Sequence, residues 1–81
     1  MSITFISFKN ETFDRLGSFA VDMPKYLNDI TVLKNNFTID NVLELMRRID
    51  RDTEFKKWNY RNIYNRYFDE IEDMIYESNL T

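Results

Sequence analysis

The sequence predicts a mainly α fold of three to four short helices with a minor N-terminal β element; a small α+β fold with two or three antiparallel strands is the alternative. Three observations lead there. Apolar residues recur at helical spacing in the stretches 26–33, 39–49 and 60–75, which lines one face of each with hydrophobic side chains. Thr38 stands just before one of these stretches as an N-cap, with Asp40 behind it in the first turn. The run Ile3–Phe8 is instead crowded with β-branched and aromatic residues, the composition of a strand.

From the N-terminus, Ile3–Phe8 is expected to form that strand, ended by Lys9 and Asn10. Residues 11–23 are ambiguous: Thr12 can cap a short helix stopping at Gly17, and Ser18–Met23 can form a second strand beside the first. On either reading Phe13, Leu16, Phe19 and Val21 are available to the core. Asp22, two positions before Pro24, resembles a helix start, and Tyr26, Leu27, Ile30 and Leu33 keep helical spacing up to Asn35 and Asn36. The next helix is expected over 39–51, burying Ile39, Val42, Leu45, Met46 and Ile49, with Glu44, Arg47, Arg48 and Arg51 on the opposite face.

A single helix over 54–77 would run about 36 Å. That exceeds the roughly 30 Å diameter implied by a radius of gyration near 12 Å for a chain of this length. Lys56 and Lys57 would also fall inside the apolar arc of Tyr60, Ile63, Tyr64, Tyr67, Phe68, Ile71, Met74 and Ile75. The expectation is therefore a helical turn near Thr53–Lys57, then a main helix from Tyr60 to Ser78 capped by Asn59. Trp58 is left at the junction and Tyr76 on the face opposite the arc.

Eighty-one residues make one small domain covering 1–81, with a thin core, since a chain of this size buries only about 60 to 65 % of its unfolded surface. Hydrophobic residues at 43 % suffice for a globular fold, and 31 % charged residues with net charge −3 favour solubility. There is no cysteine and no histidine, which removes disulfides, ordinary zinc sites and the usual nucleophile pairs. The single glycine, Gly17, excludes phosphate-cradling glycine loops. No signal peptide and no apolar run of membrane-spanning length is visible. A cytoplasmic, non-enzymatic protein without cofactor or metal is expected, in the host cytoplasm if phage-encoded.

The strongest functional signal is the sorting of charge. Seven of the eleven basic residues, Arg47, Arg48, Arg51, Lys56, Lys57, Arg61 and Arg66, fall within twenty positions. Asp69, Glu70, Glu72, Asp73 and Glu77 then follow with no base among them. On one helix this order is unfavourable, because the macrodipole prefers anions at its N-terminal end and cations at its C-terminal end. Separate basic and acidic poles interleaved with aromatics suit docking to a macromolecule.

For the arginines, the structural reading is a solvated face with Glu44 and Arg48 paired at i,i+4. For Tyr60, Tyr64, Tyr67 and Phe68, helical spacing argues core rather than a stacking platform for bases. Trp58 is not buried by any helical phase, and tryptophan is enriched in interface hot spots. The acidic run can keep a helix solvated, or it can imitate the phosphate track of nucleic acid and enter a basic groove.

One alanine and one glycine against nine asparagines and eight isoleucines indicate AT-rich codons. The composition is similar to that of short orphan proteins of AT-rich phages, many of which act by blocking a host protein; the similarity carries no residue over. The expected function is thus a protein-binding module, a phage-type inhibitor of a host nucleic-acid-processing or defence protein, with an anti-CRISPR-like role among its forms. The expected partner-binding residues are Arg47, Arg48, Arg51, Trp58, Asp69, Glu72, Asp73 and Tyr76. The partner is another protein, one that itself binds nucleic acid, and a homodimer is compatible with the sequence. The alternative is a small nucleic-acid-binding regulator using the 47–66 basic patch, against which the net negative charge argues.

Overall fold

In the computed structural model the backbone is described for residues 2–52, 60–76 and 79–80, and the side chains for 4–52 and 67–76. The described residues are mainly helical, in agreement with the sequence. Helix α1 spans Phe5–Asp22, a 3-10 turn spans Pro24–Tyr26, and α2 (Leu27–Asn35), α3 (Ile39–Asp50) and α4 (Tyr60–Tyr76) follow.

The N-terminal strand expected over Ile3–Phe8 is not formed. Thr4 caps α1 instead, its Oγ1 accepting a hydrogen bond from the Ser7 amide at 3.0 Å. Phe8, Thr12, Leu16 and Phe19 then fall on one face, all essentially inaccessible to solvent. Helical periodicity carried through eighteen residues outweighs the local β-forming composition of the first six. Ser2 and Ile3 alone are extended there, lying parallel to Asn79 and Leu80. Two residues on each side do not make the β element expected, and their parallel pairing also departs from the antiparallel alternative.

The same helix corrects three further expectations. Thr12 is a buried core residue and not a cap. Gly17 lies within the helix and does not end it; Met23 does, its amide bonding Phe19 O at 2.9 Å. Val21 is 81 % exposed, because helical geometry turns it away from the face that buries Phe19 and Ala20.

Pro24 opens the 3-10 turn, where its missing N–H costs no hydrogen bond, and α2 buries Ile30 and Leu33 while Leu27 faces outward. Thr38 caps α3 as expected, accepting from the Asn41 amide at 3.0 Å. Val42, Leu45, Met46 and Ile49 are buried beneath it.

The core forms where these faces meet α4, which contributes Phe68, Ile71 and Met74 with Tyr67 and Ile75 at its margin. The Phe19 ring lies edge-on to Phe68 at 5.0 Å and to Tyr67 at 5.8 Å. Phe37, between α2 and α3, joins Phe5, Phe8 and Phe13 at 5.5, 5.7 and 5.2 Å. Tyr67 also donates to Asp22 Oδ2 at 2.9 Å, tying α4 to the end of α1. The radius of gyration is 12.4 Å, and the seventeen residues of α4, about 25 Å long, fit within the 37 Å long axis. The expected turn near Thr53–Lys57, the Asn59 cap and the Trp58 junction lie outside the described residues.

Candidate functional site

Charged side chains gather at two places, one where the start of α2 meets the end of α3, the other along the outer face of α4. At the first, Asp29 occupies the opening turn of α2, and Arg47 and Arg48 the closing turn of α3. Each sits at the helix end that favours its charge. Arg48 Nη1 meets Asp29 Oδ1 at 2.8 Å across nineteen positions. The expected pairing of Arg48 with Glu44 is therefore replaced by a tertiary one. Glu44 lies 3.9 Å from Arg47 instead, both side chains well exposed. Arg51 turns back on its own helix, Nε donating to Arg47 O at 3.3 Å.

Below Arg48, Asp52 Oδ2 receives the Tyr26 hydroxyl at 2.6 Å and lies 2.6 Å from Lys25 Nζ. Burial of the Tyr26 ring, then the hydrogen bond and charge of Asp52, push its pKa up to about 12. Such a phenol stays protonated at neutral pH and is a structural donor, poorly matched to proton transfer. Lys25, Tyr26, Asp29, Arg48, Arg51 and Asp52 line an open cleft of about 540 Å³.

This arrangement changes the meaning of the basic block. Arg47, Arg48 and Arg51 do share one region of α3, but Asp29, Glu44 and Asp52 are interleaved with them. Their place at a helix C-terminus is favourable, so helix electrostatics and Asp29 account for them without a ligand. Lys56, Lys57 and Trp58 lie outside the described residues, as do the side chains of Arg61 and Arg66.

The acidic block is placed differently. Helix α4 carries no acid in its first turn and no base in its last, and Asp73 falls in the last turn, where the macrodipole disfavours a carboxylate. At 100° per residue, Asp69, Asp73 and Tyr76 form one stripe opposite the buried Ile71, flanked by Glu70 and Glu72. Asp69, Glu70 and Asp73 are exposed, Glu72 is half-buried, and Tyr76 is 68 % exposed. Four of the expected partner-binding residues are thereby brought onto one outward face.

The sequence reading missed Lys25, Tyr26, Asp29 and Asp52. Asp29 and Arg48 lie 19 positions apart, Tyr26 and Asp52 lie 26 apart, and Lys25 pairs with that same Asp52, so no local pattern points to them. Among the described residues no group of three or more Asp or Glu side chains is placed to hold a metal ion, and no helix is long and apolar enough to cross a membrane. The chain matches no family model, no curated protein and no solved structure.

Proposed function

We propose that the protein is a non-enzymatic binding module that docks on a basic surface of another protein through the outer face of α4. The observation that carries this reading is the stripe of Asp69, Asp73 and Tyr76 between Glu70 and Glu72, opposite the core, with Asp73 in the last turn where an acid is disfavoured. An exposed tyrosine supplies a rigid, amphipathic contact, and the surrounding carboxylates supply long-range attraction for a cationic surface. Basic surfaces of this kind belong to proteins that handle nucleic acid, whose phosphates the carboxylates would replace. The AT-rich composition supports a phage-type inhibitor acting in the host cytoplasm. Arg48 and Lys25 lie against Asp29 and Asp52, which weakens the alternative of direct nucleic-acid binding.

The reading is tested by immobilising the full chain, passing over it a lysate of a low-GC bacterium, and comparing retained proteins with those held by a D69K/D73K variant. A basic protein retained by the wild type and lost with the variant is expected. Identical retention by both counts against α4 as the docking face.

A further inference from the structure

A second concave surface lies between α2 and α3, a groove of about 310 Å³ with Leu33 and Leu45 as floor and Val32 as wall. Leu33 and Leu45 are buried, whereas Val32 is 58 % exposed, so the groove offers apolar surface to a visitor. Its polar rim carries two carboxylates, Asp29 and Glu44, against one guanidinium, Arg48, with the amides of Asn36 and Asn41 between them. Asn41 uses its Nδ2 on Asn36 O at 2.9 Å, leaving its Oδ1 without a donor among the described residues. Among the described residues Glu44 has only the stretched 3.9 Å approach of Arg47. Asp29 engages Arg48 through Oδ1, and its Oδ2 accepts no hydrogen bond among the described residues. Arg48, the one cation of the rim among the described residues, meets Asp29 at 2.8 Å.

Apolar walls beneath a rim with one carboxylate in excess match an aliphatic stem ending in a cation. We propose that this groove receives an arginine side chain from an exposed segment of the basic partner, its stem along Val32 and Leu45 and its guanidinium between Glu44 and Asn41 Oδ1. The occupant follows from charge complementarity: the rim carries two carboxylates, Asp29 and Glu44, against the one guanidinium of Arg48, and the incoming guanidinium offers five donors in a planar fork to Glu44 and Asn41 Oδ1. The volume is at the lower end of ligand sites and suits one side chain better than a folded element. The inference rests on the reading that the partner presents bases, and adds a place for one of them away from α4.

The test uses the full chain, labelled with nitrogen-15 and titrated with hexa-arginine amide, with hexa-citrulline amide as the neutral isostere. Amide shifts at Val32, Leu33, Asn41 and Leu45 are expected with arginine and not with citrulline. Glu44→Gln should weaken the arginine titration about two- to fivefold, the range of one exposed charge pair. Shifts confined to residues 69–76 would overturn the groove while leaving the α4 reading intact. Groove shifts that persist with citrulline, or that are unchanged by Glu44→Gln, would also overturn it. No shifts in either place would overturn both.

Discussion

Tyr26 donates its hydroxyl hydrogen to Oδ2 of Asp52 at 2.6 Å, the same oxygen that Lys25 Nζ approaches at 2.6 Å. One carboxylate thus fastens the turn that opens α2 to the residue that follows α3. Its side chain is only 12 % exposed, so these contacts are screened less than surface pairs. Tyr26→Phe should lower stability by about 1 to 3 kcal/mol at neutral pH, the range for a hydrogen bond to a charged group.

The same bond sets a pH dependence. The phenol titrates at 10.0 ordinarily and at about 12 here, so the folded state keeps a proton that the unfolded chain releases between those values. The stabilisation is complete below about pH 10 and is lost as pH rises through about 12. Urea unfolding across this window should show wild-type stability falling more steeply than that of Tyr26→Phe. Parallel slopes would contradict the assignment.

Helix α1 holds two positions at which substitution should increase stability. A Cβ added at Gly17 meets nothing within 4 Å, and no glycine has positive φ, so Gly17→Ala should add about 0.5 to 1 kcal/mol. The Thr12 hydroxyl is fully buried with no hydrogen-bond partner among the described residues, and Thr12→Val should add about 1 kcal/mol by removing it. Thermal midpoints below wild type would show that α1 is wrongly placed.

Leu45 and Ile71 stand near the centres of the buried faces of α3 and α4, 5 % and 0 % exposed. Truncating either to alanine should cost about 2 to 5 kcal/mol through lost burial and the cavity left behind. Denaturation midpoints within error of wild type would show that the helix phases are wrong.

The basic residues of α3 should not support strong binding to DNA or RNA. Arg48 lies against Asp29 and Arg47 lies 3.9 Å from Glu44, while the neighbouring Lys25 of the 3-10 turn lies against Asp52, so a phosphate must compete with these carboxylates. Fluorescence anisotropy with single-stranded DNA at low salt should show weak or no binding. Tight binding that falls steeply with salt, as counterion release requires, would revive the nucleic-acid reading.

Helix α3 was the most legible element, because its cap and its apolar stripe are both local and agree with each other. The placing of Tyr76 opposite the apolar arc of α4 was legible for the same reason, whereas the acids read from sequence as a run, and the structure sorts them into Asp69 and Asp73 beside Tyr76 with Glu70 and Glu72 on its flanks. Helix α1 was misread because Ile3–Phe8 has the composition of a strand and Gly17 resembles a stop, while the evidence for a helix is spread over eighteen residues. The partner of Arg48 was not legible. Glu44 and Asp29 are both reasonable acceptors, and only the tertiary approach of α2 to α3 selects Asp29.

The most direct test of the account is the dissociation constant of Tyr76→Ala for the partner retained by the wild-type chain, measured by isothermal titration alongside the thermal midpoint. With Tyr76 68 % exposed, truncation should leave the midpoint within a few degrees. The dissociation constant should rise about tenfold or more, as for an aromatic anchor at the centre of an interface. A dissociation constant within twofold of wild type, with the fold intact, would contradict docking through α4.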